Sequence, residues 1–208
     1  MGKENAKGGI DMHYYEALLQ TDFERLHPLL KKRYAEQPSK PMRITGVMHH
    51  IENGLSLLTP ALKLAEPTKF MFANEGQNIP FELETNVTIE DGQYVIYWKR
   101  TFHFPNEPKF YDTEMVIDPI TRQVVDYNGR GRLFGSRMDI RVTTDGALWM
   151  QSISQFVRIG NRRMTVPKQI YVKGAALEWA EDDHICMAID VYHEKIGRIK
   201  RYIGKYTL

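Results

Sequence analysis

The sequence predicts a mainly β protein with N-terminal helices (α+β). Its antiparallel meander of about ten strands should form a barrel or a strongly curved sheet, lipocalin-like in general architecture. Three observations carry this. From about Phe70 to Leu208 nearly every segment alternates apolar and polar residues, the period of a strand with one buried face. Short clusters separate the segments: Glu90-Asp91-Gly92, Asp118-Pro119, Asp145-Gly146 and Gly160-Asn161 read as hairpin turns. No stretch in that region has the 3–4 spacing of an amphipathic helix.

In chain order, residues 1–11 are polar and lack an apolar core, so they read as a disordered N-terminus and not as a signal peptide. Residues 12–66 read as a helical segment packed on the sheet. Tyr15, Leu18, Leu19, Phe23 and Leu26 give helical spacing between Met12 and Tyr34, and Pro28 either breaks that helix or starts a second. Pro38 and Pro41 mark a linker. Gly46–Gly54 and Leu55–Leu62 read as broken helical pieces, with a short strand at Met42–Met48 as the alternative. Residues 67–208 form the sheet. Phe70–Ala73 opens it, Pro80–Ile89 follows, and Tyr94–Phe104 is the most diagnostic strand. Further strands are expected at Phe110–Ile117, Gln123–Phe134, Arg137–Thr143, Ala147–Ile159, Arg163–Val166, Ile170–Ala180, Ile185–Tyr192 and Ile199–Tyr206. A sheet of that size curls or closes to hide its edges. The whole is read as one domain.

Composition narrows the function classes. A net charge of +2 argues against a dedicated nucleic-acid binder. Bases are nevertheless clustered: Arg158, Arg162, Arg163, Lys168 and Lys173 share a stretch without an acid, as do Lys195, Arg198, Lys200, Arg201 and Lys205. Such runs serve either a solvated face or the rim of an anion site. The single cysteine, Cys186, excludes an intrachain disulfide and fits a reducing cytoplasm. No apolar run is long enough to span a bilayer as a helix. Nucleophile elbows, glycine-rich phosphate loops and metal-ligand spacings are not found, so no catalytic residue, metal or cofactor is assigned. His49-His50 is a poor metal pair, because neighbours on a helix point apart, and His27 before Pro28 reads as a structural hydrogen-bonder.

The sharpest anomaly is Arg100. It shares parity with Ile96, Trp98, Phe102 and Phe104, so it points to the apolar side and needs an acid or a ligand anion. Asp112 and Glu114 on the next strand are candidate partners. Asp126, Asn128, Arg130 and Arg132 share one face and Tyr127 the other. The cluster is either a paired ion group inside or at the mouth of a barrel, or a polar floor for the head group of an amphipathic ligand. The candidate ligand-binding set is Arg100, Trp98, Phe102, Phe104, Asp112, Glu114, Tyr127 and Arg130, with Met115, Met138, Ile140 and Trp149 as further wall.

Leu26-His27-Pro28-Leu29-Leu30, Gly46-Val47-Met48, Ile79-Pro80-Phe81, Arg100-Thr101-Phe102-His103-Phe104-Pro105, Met115-Val116-Ile117-Asp118-Pro119, Val125-Asp126-Tyr127-Asn128-Gly129 and Tyr202-Ile203-Gly204 together resemble the bacterial domain-of-unknown-function family numbered 4166. The resemblance covers nearly the whole chain after about residue 13. It implies a bacterial, cytoplasmic domain, found alone or fused to modules such as reductases similar to saccharopine dehydrogenase. It brings no activity and no catalytic residue. The expected function is therefore a binding domain for a small hydrophobic or amphipathic, lipid-like or anionic ligand. The alternatives are a cavity-based enzyme of the isomerase, cyclase or hydrolase type, or a non-catalytic interaction module.

Overall fold

A computed structural model describes residues 14–35, 41–160 and 162–208. The expected disorder of residues 1–11, the linker position Pro38 and the turn position Asn161 lie outside the described residues. Two short helices open the chain, α1 (Tyr14–Leu19) and α2 (Pro28–Tyr34), joined through a 3₁₀ turn at Gln20–Arg25. Pro28 starts the second helix rather than breaking the first. Its missing N–H is harmless at the first helical position, and the His27 ring accepts from the Leu29 N–H at 3.3 Å as a cap. Lys31, Lys32 and Arg33 close the helix where its dipole favours cations.

Eleven strands follow: β1 (Met42–Asn53), β2 (Gly76–Glu90), β3 (Gln93–His103), β4 (Pro108–Ile117), β5 (Val124–Asn128), β6 (Phe134–Val142), β7 (Leu148–Ile159), β8 (Arg162–Thr165), β9 (Lys173–Glu181), β10 (His184–His193) and β11 (Gly197–Thr207). A third helix, α3 (Thr59–Ala65), lies between β1 and β2. Strands β1 to β7 pair in sequence order, β7 passes on to β9, and β9, β10 and β11 return to β1. The result is a closed ten-strand antiparallel barrel. β8 pairs with β7 alone and stands outside the ring.

Two expectations change at the junction of helix and sheet. Met42–Asn53, read mainly as helix with room for a short strand, is one full-length barrel strand. Its register shifts between Met48 and His50 on pairing with β11. That bulge breaks the alternation of Ile44, Met48 and Ile51, all buried, which is why the period-two signal fades there. His49-His50 therefore sits on a strand, not a helix. Phe70–Ala73 is not a strand. It crosses one end of the barrel and drops Phe72, fully buried, among Phe102 at 5.1 Å, Phe104 at 5.7 Å and Tyr202 at 5.9 Å.

The opposite end is closed by α1 and α2. Tyr14, Tyr15, Phe23, Leu30 and Tyr34 enter the core and meet Tyr94, Met115 and Met150 on the inner strand faces. The β6–β7 turn holds this plug. Gly146 has φ +83 and its carbonyl oxygen accepts from the His27 N–H at 3.0 Å, and a Cβ there would meet the Arg25 carbonyl at 2.9 Å. Only glycine suits that turn and that approach. No helix among the described residues is long and apolar enough to cross a membrane.

Candidate functional site

Between the two plugs the barrel retains a cavity of about 110 Å³. Its lower wall is apolar and rich in methionine: Leu83, Trp98, Met115, Met138, Met150 and Met187. Thioethers are flexible and polarizable, so such a wall adapts to its contents. The Tyr15 hydroxyl faces the sulfurs of Met115 and Met150, each at 3.9 Å. At the floor Glu178, on β9, accepts from the Tyr34 hydroxyl at 2.7 Å and the Tyr206 hydroxyl at 2.9 Å. Arg33, 2% exposed, stacks beside Tyr34 and reaches Thr85. Helix α2 thus delivers two adjacent polar side chains into the barrel, although both belong to a short amphipathic helix.

Above the methionines runs a polar band built around Arg100. β3 carries it inward, as its parity requires, and it is 8% exposed. One guanidinium nitrogen donates to the Thr113 hydroxyl at 3.2 Å and to the Tyr111 carbonyl at 3.5 Å. The guanidinium lies over the rings of Tyr111 at 5.0 Å and Trp98 at 5.2 Å. Its direct acceptors are therefore neutral. The acid that shares its field is Asp126 on β5, which faces the same cavity. Burial pushes the Asp126 carboxyl up from 3.8 to about 7, against the pull of Arg100 and with a further push from Glu114. Its Oδ1 has no hydrogen-bond partner among the described residues, and neither do the Trp98 indole nitrogen and the Tyr202 hydroxyl. Burial holds Tyr111 and Tyr202 neutral, well above the usual tyrosine range. Asn128, Ser136, Ser152 and Gln155 complete the band.

Of the residues expected at the site, Arg100 and Trp98 line the cavity, with Met115 and Met138. Phe102 and Phe104 point inward but pack on Phe72, above the void. Ile140 packs against the core. Asp112 and Glu114 are not the partners of Arg100. The register pairs Arg100 with Tyr111, and residues opposite each other share a face. Tyr111, Thr113 and Met115 are thus inward and Asp112 and Glu114 outward. Asp112 meets Lys69 at 3.4 Å, and Glu114 pairs with Arg132. Tyr127 is buried on the outer face, edge-on to Phe156 at 5.9 Å, and accepts from Arg163 at 2.9 Å. Trp149 lies under Arg141 on the outside. Arg130 is exposed, in the 3₁₀ turn Arg130–Arg132 that ends the inward parity of β5.

The candidate set left out Tyr111, Thr113, Asp126, Asn128 and Glu178, although Asp126 and Asn128 belong to the polar cluster read from the sequence. A signal existed for the first two: β4 carries both its acids on one face, which marks that face as the wet one. Among the described residues no group of His, Cys, Asp and Glu is placed to hold a metal ion. Burial and Glu181 at 3.4 Å push the Cys186 thiol up, away from the thiolate form.

The polar band, helix α2 and the Phe70–Ala73 plug fall within the part of the chain that matches a known family, and α1 precedes it. An uncharacterized protein, YndH, of Bacillus subtilis (strain 168) is 28% identical over 188 residues, covering 89% of this chain and 92% of the relative. The family described as a domain of unknown function, DUF4166, matches residues 26–206, from just before α2 to the last residues of β11, and the chain belongs to that family.

Proposed function

We propose that the barrel binds a small amphipathic ligand with an anionic head group. The observation that carries this reading is Arg100: a buried cation held by neutral oxygens and two aromatic faces, at the boundary between a polar band and a methionine wall. A buried guanidinium with no bonded carboxylate is stabilised by an incoming anion. The orphan Trp98 N–H and Tyr202 hydroxyl lie in the same neighbourhood and offer further polar contacts. A volume of about 110 Å³ suits a head group with a ring-sized or short apolar part, in the range of cavities that accept benzene-sized guests. A longer tail has to run toward Phe70, Met71 and Val172, which line the upper end.

The test is native mass spectrometry of protein purified from cells, followed by thermal shift with carboxylates and phosphate monoesters of increasing chain length. The expected result is an adduct or a shift that Arg100→Met abolishes while the fold is retained. Methionine is near in volume, and replacing a buried charge by an apolar group is often neutral or stabilising. Equal binding by wild type and Arg100→Met, or no adduct and no shift across the panel, refutes the proposal.

A second reading, proton-transfer chemistry on the bound ligand, is favoured by one observation: a carboxyl pushed up to about 7 beside an arginine in the same cavity. That is the range in which a general acid–base works at neutral pH. Here Asp126→Asn removes turnover of a ligand found by mass spectrometry but leaves its binding. Unchanged turnover removes the reading.

A further inference from the structure

The upper rim of the barrel is asymmetric. Along most of the ring, neighbouring strands are joined by backbone ladders, but β7 divides. Leu148–Gln151 pairs with β9, and Phe156–Ile159 pairs with β8. Between these two stretches the seam from β7 to β9 is held by side chains. Ser152 accepts from the Gly174 N–H at 2.9 Å, and Gln155 exchanges bonds with the backbone of Val172, accepting its N–H at 3.0 Å and donating to its carbonyl. Ser152, Gln155, Val172 and Gly174 all line the cavity. The cavity therefore approaches the surface where the ladder is interrupted.

The β7–β8 hairpin rises directly above this seam. Its register sets Phe134, Val157 and Met164 in one row across β6, β7 and β8. Paired residues share a face, so the row lies opposite Phe156, which packs on the outer wall against Tyr127. Phe134 stacks on Phe70, which lines the cavity, at 5.9 Å. The apolar wall thus continues outward past the rim. There Phe134 is 45%, Met164 57%, Ile159 61% and Ile170 61% exposed. Apolar side chains grouped in this way mark an interaction site. Arg162, opposite Ile159, shares their face, and Lys168 follows in the next loop, in the stretch 158–173 that contains no acidic residue. Arg158 and Arg163 stand on the other face of the hairpin, where Arg158 gives its Nε to the Gly160 carbonyl in a cleft shared with Glu90 and Glu114, and Arg163 is held by the Tyr127 hydroxyl.

We propose that the β7–β8 hairpin and the following 166–172 loop form a lip that docks on an anionic phospholipid surface, with the β7–β9 seam as the passage between that surface and the cavity. Charge complementarity selects the partner. Projecting apolar side chains flanked by Arg162 and Lys168, in a stretch with no acid of its own, match an interface with acyl chains below and anionic head groups around them. An edge strand pairing with a second copy of the chain is the competing occupant of β8. The passage rests on the ligand-binding reading above, whereas the docking is measured with no cavity ligand present.

The experiment is flotation of the full chain with vesicles of phosphatidylcholine alone and of phosphatidylcholine with 30 mol% phosphatidylglycerol (roughly the anionic share that gives a strongly negative surface), together with sedimentation velocity. Wild type is expected to bind the anionic vesicles and not the neutral ones, and added salt is expected to release it. Arg162→Gln and Lys168→Gln combined should weaken binding about twenty-five-fold, at about fivefold per base. Ile159→Asp with Met164→Asp should abolish it with the thermal midpoint unchanged, since both side chains are exposed. Arg100→Met should bind vesicles as wild type does, which separates this inference from the cavity reading. No binding of wild type at low salt, or binding that neither set of substitutions alters, overturns the proposal. So does a dimer dissociated by Ile159→Asp with Met164→Asp in a protein that ignores vesicles.

Discussion

Replacing Asp126 by asparagine should stabilise the protein in a pH-dependent way. The carboxyl titrates at about 7 in the folded chain and near 3.8 when unfolded. Below about pH 4 it is neutral in both states and adds no term. Between about pH 4 and pH 7 the unfolded chain releases a proton that the folded chain keeps, so ionisation favours unfolding. Above about pH 7 both states are ionised and the penalty is constant. At about 1.36 kcal/mol per pH unit, the span from 3.8 to about 7 is worth about 4 kcal/mol as a ceiling. The shift already contains the opposing attraction of Arg100, so no separate deduction is made for losing it. Urea unfolding of wild type and Asp126→Asn in half-unit steps from about pH 4 to about pH 8.5 measures the difference. It should be near zero at the acid end, rise through the middle and level off above neutrality. A difference independent of pH, or a variant less stable at the alkaline end, refutes the assignment of a buried neutral acid. A carboxyl-carbon NMR titration of Asp126 checks the same number directly. The consequence reaches the proposed ligand. Below about pH 7, Asp126 is neutral and Arg100 is left as net positive charge in the polar band. An anionic head group should therefore bind more tightly at the acid side of neutrality, and Asp126→Asn should abolish that dependence.

Two further outcomes concern the plugs. Tyr34→Phe removes one of the two hydroxyls that Glu178 accepts and should cost about 1.5–3 kcal/mol in urea unfolding, the usual range for a hydrogen bond to a charged group; a loss below about 0.5 kcal/mol would mean that water replaces the hydroxyl. Lys200 is fully buried, donates to Asn53 at 2.8 Å and to the Asn74 carbonyl at 2.7 Å, and lies 4.6 Å from the Phe72 ring centre. Burial lowers it from 10.5 to about 7. The unfolded chain binds the proton first as pH falls, so Lys200 should weaken the wild-type fold progressively from about pH 10.5 down to about pH 7. Lys200→Met should remove that slope; parallel unfolding curves for the two proteins across the window would show that the two oxygens and the ring fully solvate the ammonium.

Parity within a strand was legible in the sequence, and the phase between strands was not. The alternation of β3 places Trp98, Arg100 and Phe102 on one face, and all three point inward. Arg100 was recognisable as an exception because four large hydrophobes share its parity. Its partner required knowing that Tyr111, not Asp112, lies opposite it, and that depends on the length of the Pro105–Pro108 turn as much as on the strands. A slip of one residue exchanges the two faces of β4. The bulge in β1 hid a barrel strand for a related reason, since one extra residue at His49 resets the alternation. Phe70–Ala73 is apolar enough for a strand, but a segment that caps a barrel end needs the same burial without the ladder.

The cavity itself was the least legible feature, because no single segment encodes it. Its polar band takes Arg100 from β3, Thr113 from β4, Asp126 from β5, Ser136 from β6 and Ser152 from β7. These strands are consecutive in the ring, and each contributes polar residues to an otherwise apolar inner face, with Asn128 joining Asp126 on β5 and Gln155 joining Ser152 on β7. Taken strand by strand, such a residue is an isolated polar interruption. Closure of the ring turns these interruptions into one belt. The belt ends at the β7–β9 seam, where Ser152 and Gln155 hold the wall by side chains. A fold optimised only for stability would continue the backbone ladder there and fill the belt with apolar residues. The coincidence of an unbonded carboxyl oxygen, a cation on neutral acceptors and the interrupted ladder within one cavity is the physical support for the proposed function over packing alone: each feature lowers stability on its own, and the proposed ligand, entering at the seam, would give each of them a partner.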